Sequence, residues 1–480
     1  MRVLLVNPPI REHEAPWYFP SGLGYVARSL RDAGHEVSVL EINAHRYPPD
    51  RVERLIRGLS YDVVGIGAMV TRYSYIKWLT PLLKARNPGA KVIVGGGIAS
   101  SIPELLLGGT ETDIACLGEG EVTARGLLRA LEDSSDLEQV PGICYRRNGE
   151  MVRTAPREQV ASLDDIPFPA YELFPMEIYL HHDTQSIVPL AAPNISMITS
   201  RGCPYRCTFC HRVIRGKTRF RSADNILAEV RMLKDSYGVK GIFFHDELTI
   251  TNKRLTYELC DRLLAEGVGV EWACSVRANL VDRELMARMR QAGCVYVTYG
   301  IESGSQRMLD QMKKGTTVEQ NREAWQVIRE SGIACSPSFI LGMPSETEET
   351  VRETVDFVAQ AGIKPFTFFF ATPYPGTELY EEARAMGRIA DEESFIEELD
   401  DATKFVVNLT ALSDDELVRL KKEAELAIIR GYFRTHRRQL VALYLGNAAR
   451  VPGELWRYYR AYGVKSTVRR LWGFLSALFR

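Results

Sequence analysis

Two series of short apolar runs alternate with longer stretches whose apolar residues recur at helical spacing, and a break rich in proline and acidic residues separates the two. In the first series the runs are 2–7, 36–41, 63–68, 91–95 and 114–117. Each is strand-sized and the intervals are long enough for helices, so a doubly wound parallel sheet covered on both faces is expected. In the second series the runs are 195–199, 241–245, 270–276, 295–300, 334–341 and 365–371, with amphipathic stretches such as 224–236, 252–266 and 317–331 between them. Six such βα units predict an open partial barrel, (βα)6. Both architectures bind ligands at the carboxyl ends of their strands, which fixes where chemistry is sought.

Residues 133–190 read as a linker. Within it, 142–154 alternate around Asn148-Gly149, a hairpin signal because both turn positions need a left-handed backbone. The run Asp164-Asp165-Ile166-Pro167-Phe168-Pro169 is extended, since its prolines cannot continue a helix. Beyond the second series, 413–435 is helical in pattern, starting at the capping candidate Ser413 with Asp414, Asp415 and Glu416 in the first turn. The expected organisation, in the α/β class, is a sheet domain over 1–132, the linker over 133–190, the barrel over 191–395 and a helical region over 396–480.

With 480 residues, 45% hydrophobic and 25% charged, the chain has the material for two or three cores and is not of the disordered class. No apolar stretch approaches the roughly 20 residues of a membrane span. The formal net charge of −1 conceals a contrast: residues 430–480 hold ten Arg and one Lys against Glu454, a net +10, so 1–429 carry −11. In that basic segment Trp456, Tyr458, Tyr459, Trp472 and Phe474 interleave with Arg457, Arg460, Arg469 and Arg470. It reads either as lying in a membrane interface against anionic lipid or as capping the barrel with its arginines solvated. The acidic body repels a phosphate backbone, which argues against a nucleic-acid partner. The expected location is the cytoplasm, with contact to the inner face of the membrane through this segment.

Nine cysteines with no leader-like segment before them suit a reducing interior. Six of them, Cys116, Cys144, Cys260, Cys274, Cys294 and Cys335, are scattered in apolar contexts and read as small buried side chains. Cys203, Cys207 and Cys210 differ, because they share one short loop, Arg201-Gly202-Cys203-Pro204-Tyr205-Arg206-Cys207-Thr208-Phe209-Cys210-His211. Three thiolates at C-x3-C-x2-C spacing can hold an iron–sulfur cube and leave one iron open. A structural zinc site would need four closed ligands, with His211 as the fourth. His211 follows Cys210 directly, which is poor geometry for a tetrahedron.

This loop, with aromatic Phe209 just before its last cysteine, resembles the signature of the radical S-adenosylmethionine (SAM) superfamily. The resemblance implies a 4Fe-4S cluster whose open iron binds the amino and carboxylate groups of SAM, reductive cleavage to methionine and a 5′-deoxyadenosyl radical, and hydrogen abstraction from an unactivated carbon. It also implies SAM contacts near the strand ends: Glu247 at the amino group, Arg277 beside Ser275 at the carboxylate, Glu302 at the amino group or ribose, and Gly342 and Phe209 near the adenine. His245, Tyr299 and Tyr374 read as core side chains, and no catalytic acid or base is assigned.

The first series resembles a flavodoxin-like cobalamin-binding domain. It opens with Val6-Asn7-Pro8-Pro9 and carries the glycine-rich loops Gly65-Ile66-Gly67-Ala68, Gly95-Gly96-Gly97 and Gly118-Glu119-Gly120-Glu121. Glycine loops also serve plain tight turns. The resemblance implies cobalamin contacts at Gly67, Met69, Thr71, Gly95, Gly96, Gly118, Glu119 and Gly120. The D-x-H-x-x-G motif of histidine-ligated relatives is absent, since Asp32-Ala33-Gly34-His35 has the wrong spacing. Two readings follow: cobalamin bound without a histidine, its lower face on the loop 69–73, or a domain kept as a substrate platform.

The chain thus resembles cobalamin-dependent radical SAM enzymes. The resemblance implies methylation of an unactivated carbon of a small, hydrophobic or lipid-like substrate, such as a terpenoid, with electrons from a flavodoxin or ferredoxin. The same layout also occurs in radical cyclisation or skeletal rearrangement without methyl transfer, as in the anaerobic porphyrin cyclase and hopanoid tailoring. A third reading, a non-catalytic cofactor-binding redox sensor, is opposed by the SAM-like residues after the barrel strands.

Overall fold

The computed structural model describes residues 1–11, 18–181, 188–214 and 217–436; the aromatic and basic segment 437–480 lies outside them. Strands β1 (Arg2–Asn7), β2 (Glu36–Glu41), β3 (Val63–Gly67), β4 (Lys91–Gly95) and β5 (Ile114–Cys116) form a parallel sheet in the order β2-β1-β3-β4-β5. This is the flavodoxin-like order, with its switch point between β1 and β3. Alternate residues feed opposite cores. Leu4, Val6, Val64, Ile66, Val92 and Val94 pack on one face, while Val3, Leu5, Val63, Ile93 and Ile114 pack on the other. A strand buried on both sides has no polar face, which is why these runs read as apolar throughout.

The hairpin β6 (Ile143–Arg147) and β7 (Glu150–Arg153) turns at Asn148 and Gly149, with φ of 53° and 86°. It is more than linker. β6 pairs antiparallel with β5, Ala115 opposite Cys144, and extends the first sheet to seven strands. The buried Ile143, Cys144 and Tyr145 account for the attachment, because left unattached they would face water.

The second sheet runs in chain order: β8 (Asn194–Met197), then, past the short antiparallel pair β9 (Ser200–Arg201) and β10 (Arg219–Phe220), β11 (Gly241–Phe244), β12 (Glu271–Val276), β13 (Cys294–Glu302), β14 (Ala334–Leu341) and β15 (Phe369–Phe370). All six sheet strands are parallel, giving an open half-barrel. The last is shorter than the expected 365–371. Phe366 and Phe368 instead turn onto Phe339, and the Phe368 amide donates to Glu425 of the helix Asp414–Thr435. That helix begins as expected at Ser413: the Ser413 hydroxyl accepts from the Glu416 amide and Glu416 accepts from the Ser413 amide. Its Leu417, Ala424 and Ile428 are buried in the main core of the second module.

Candidate cofactor and substrate site

The cysteine loop hangs between two anchors. The Thr208 amide donates to Met312 O at 3.0 Å and Thr208 O accepts from the Leu379 amide at 2.9 Å. Cys203 and Cys207 are half-buried. Cys210 keeps exposed surface, while the protein packed around it and the neighbouring Cys207 and Cys203 push its thiol up to about 11. A cationic centre among these thiols would stabilise them as thiolates. Among the described residues no trio of His, Cys, Asp or Glu is gathered around a position for a single ion. Three thiols on one loop are the donor set of an iron–sulfur cube with one open iron, whereas a structural zinc needs a fourth ligand. His211, the fourth ligand of the zinc reading, is engaged elsewhere, its Nε2 2.8 Å from Ser101 Oγ.

Around the loop stand most of the residues sought at the strand ends. Arg277, buried just after β12, donates to Cys207 Sγ at 3.7 Å and to Asn279, and its guanidinium lies 3.6 Å from the Tyr205 ring centroid. Its Nη2 is buried without a partner. An unsatisfied guanidinium N–H beside a cluster sulfur fits the carboxylate of SAM. Glu247 is exposed, and one of its oxygens accepts from the Gly202 amide at 3.2 Å. Its neighbour Asp246 serves the framework instead. That buried carboxylate accepts from the Thr199 and Ser200 amides and joins β11 to the start of the loop. Phe209 packs beside Ile340 and Met343, next to Gly342, whose φ of 100° suits glycine. Glu302 is not a free acceptor. It sits in a bulge with φ of 68°, and Lys314 holds its Oε1 at 2.7 Å in a buried ion pair.

The facing edge of the first sheet is built from main chain. Gly96 has φ of 85°, and a Cβ there would lie 2.7 Å from Ala68 O. Only glycine lets the loops after β3 and β4 approach so closely. Gly118, with φ of 72°, has open space around it, and Met69 projects from the same edge with 51% of its surface exposed. Gly67, Gly95, Thr71 and Gly120 belong to the same loops. An edge paved with glycine and one exposed thioether fits a broad planar ligand such as a corrin. His35 sits before β2, at the opposite edge, next to the amino-terminal amine and Glu132. Glu119 departs from expectation. Burial would raise its carboxyl, but Arg219 and Arg201 hold it below its ordinary range, and its oxygens are taken by them at 2.7–3.0 Å. Glu121 pairs with Arg201 at 2.5 Å. These glutamates tie the sheet edge to β9 and β10.

Inside the half-barrel, side chains stack in layers. Ile242, Phe244, Trp272, Val276 and Val297 face the helices. Phe243, Ala273 and Tyr296, of opposite parity, form a separate cluster with Tyr18, Val188 and Leu190 that floors the lumen. One step up, Ser275, Thr298 and Ser336 are aligned by strand register, with Thr298 Oγ1 donating to Ser275 Oγ at 2.9 Å. His245, read from the sequence as a core side chain, instead keeps exposed surface; it lies level with them, stacked on Tyr18 at 4.1 Å, and the surrounding protein pushes its imidazole down to about 4. The layer is uncharged at neutral pH. Tyr299 and Tyr374 do belong to the framework: the Tyr299 hydroxyl donates to Asn321 Oδ1 at 2.9 Å, and that of Tyr374 to Asp400 O at 2.9 Å.

Sequence reasoning missed the Arg201 and Arg219 pairs with the glutamates, the His211 contact and the Lys314 partner of Glu302. The acidic residues amid glycines at 118–121 were the one available signal.

Comparison with known proteins accords with this geometry. Residues 197–358 match the radical SAM superfamily and 16–128 the B12 binding domain. The chain is 32% identical over 396 residues to an uncharacterized methyltransferase of Pyrococcus horikoshii, covering 80% of this chain and 83% of that one. It is 31% identical over 447 residues to the cytidylyl-2-hydroxyethylphosphonate methyltransferase of Streptomyces wedmorensis, covering 82% and 83%. In fold it is similar to the radical SAM methyltransferase TsrM of Kitasatospora setae, solved with cobalamin and a 4Fe-4S cluster bound, with a TM-score of 0.68 at 21% identity over 81% of this chain and 79% of that one.

Proposed function

The chain belongs to the family of radical SAM methyltransferases that carry a B12-binding domain, and from that premise we propose that it is a cobalamin-dependent enzyme that methylates an unactivated carbon of a small molecule. The observation that carries the reading is the juxtaposition of two carboxyl edges. The cysteine loop of the second module lies directly against the glycine-paved loops of the first, through His211 at Gly97 and Ser101.

Cys203, Cys207 and Cys210 would hold the cluster, and Arg277, Glu247, Phe209 and Gly342 the SAM, with Ser275 in the layer beneath and Glu302, paired to Lys314, at the rim. The backbone of 67–71, 95–96 and 118–120 would hold the corrin. When bound, these groups would supply a radical that removes a hydrogen atom and a methyl group to replace it, with electrons from an external donor such as a flavodoxin or ferredoxin. The chain's own contribution is placement. Arg277 presents a buried N–H to a carboxylate. The Asp246 carboxylate, by accepting the Thr199 and Ser200 amides, fixes the entry to the loop. The aromatic floor of Tyr18, Phe243 and Tyr296 closes the lumen and keeps bulk water from that end.

The lumen refines the substrate. An aromatic floor under an uncharged layer of Ser275, Thr298, Ser336 and His245 suits a small molecule with an apolar ring or chain and at least one hydrogen-bonding group, because a bare alkyl chain would leave the hydroxyls unsatisfied. The lipid-interface reading of the carboxyl terminus rests on residues outside the described ones. No described helix is long and apolar enough to cross a membrane.

Anaerobic reconstitution followed by reaction with methyl-deuterated SAM tests the proposal. Expected are iron–sulfur and cobalamin absorption, 5′-deoxyadenosine, and a product heavier by one labelled methyl. A product without the label would favour cyclisation or rearrangement, and intact SAM with the reduced protein would overturn the enzymatic reading.

A further inference from the structure

His211 joins the loop that carries the cysteines directly to the glycine loop after β4. Its backbone follows Cys210, and its Nε2 shares a 2.8 Å hydrogen bond with Ser101 Oγ at the end of the short helix Gly97–Ser101. The ring is seated as well as bonded. A Cβ at Gly97 would come within 3.1 Å of His211 Cε1, so glycine at 97 provides the space in which the imidazole lies. The contact continues inward, because Ser100, beside Ser101, accepts the Gly118 amide at 3.0 Å and so links the loops after β4 and β5. At the other end of the cysteine loop, Arg201 is fixed to Glu119 and Glu121. The loop is thereby held at both ends by the edge of the first sheet.

We propose that His211 is a positioning residue: through Ser101 and Gly97 it sets the separation between the cysteine loop and the corrin-binding loops, so that its loss loosens this spacing while each cofactor still binds. The inference rests on the function proposed above, but the contact belongs to the chain's own residues and can be read without turnover. The Arg201 ion pairs hold one end of the loop firmly. The far end, beyond Cys210, meets the first sheet through the His211–Ser101 hydrogen bond and the fit of the ring against Gly97, so substitution there acts locally. Misplacement of reacting groups by about 1 Å can cost on the order of 10² in rate.

The test compares wild type with H211A, H211Q and S101A, each as full-length protein reconstituted with cluster and cobalamin. The glutamine amide can reach toward Ser101 as Nε2 does, and S101A removes the same bond without touching the residue beside Cys210. Expected for H211A and S101A are wild-type iron and cobalamin contents, hydrogen exchange of the 97–101 amides faster by roughly tenfold, and a weaker magnetic interaction between the reduced cluster and cob(II)alamin in electron paramagnetic resonance. The yield of methylated product per 5′-deoxyadenosine should also fall roughly tenfold or more, with H211Q recovering most of each. Unchanged exchange and unchanged spin interaction in both variants would overturn the proposal. So would loss of iron in H211A while S101A behaves as wild type, which would place the role of His211 within the cysteine loop itself. If wild-type protein never cleaves SAM, the functional reading fails, while the exchange data still decide whether this contact holds the two loops together.

Discussion

The two modules solve one problem, presenting a ligand at the carboxyl edge of a parallel sheet, with opposite materials. The half-barrel uses side chains: three thiols, a guanidinium with an unsatisfied N–H, and an exposed carboxylate. The first sheet uses backbone, with Gly96 pressed against Ala68 and Gly118 in open space. Thiolates and forked guanidinium groups recognise point charges and metals, whereas a carpet of peptide groups recognises extent and flatness. Perturbing each module should therefore fail in a different way.

The largest effect is expected in the second module. Replacing any one of Cys203, Cys207 and Cys210 by alanine should reduce bound iron to near background and abolish SAM cleavage, with cobalamin uptake by the first module retained; iron analysis and a cobalamin titration separate the two. In the first module G96V should invert that outcome. A side chain at φ of 85° meeting Ala68 O costs about 3 kcal/mol or more in strain and displaced backbone. Cobalamin affinity should fall by about two orders of magnitude while the iron content holds. If both modules lost their ligands together in either variant, the division of labour would be wrong.

A smaller change is expected from R277M, which keeps the length of the stem and removes the charged donor. Loss of a charge-assisted hydrogen bond is worth about 1.5–3 kcal/mol, or roughly 10- to 100-fold in SAM affinity, measurable by equilibrium binding, with the cluster spectrum preserved. The smallest effect is a matched pair. Glu41 in the first module and Glu346 in the second are each raised to about 7 by burial. A carboxyl whose folded pKa is raised favours the folded state below its ordinary value of 4.5, and this advantage is lost as pH climbs through 7. Stability should therefore fall as pH rises across that window. E41Q and E346Q should each flatten the profile of thermal midpoint against pH, and additivity in the double variant would show that the modules titrate independently.

The same contrast explains what the chain disclosed in advance. The strands were legible because burial on both faces leaves continuous apolar runs, and the cysteines because their spacing is the chemistry. Arg277 was found by counting to the end of β12. Gly96 was visible as glycine, but its clash with Ala68 depends on a neighbouring strand 28 residues away in sequence. Glu119 looked like part of a ligand loop and Glu302 like a free acceptor, because nothing local announces that Arg201, Arg219 and Lys314 arrive from distant segments. The hairpin's turn was readable in Asn148-Gly149, but its attachment to β5 was not.

The buried pairs of Arg201 and Arg219 with Glu119 and Glu121 also bear on how such a gene can be divided. Split between two polypeptides, the halves would each present half of a charged seam evolved to be dry, and would have to find one another before either surface was safe from misassociation. A single reading frame removes that search.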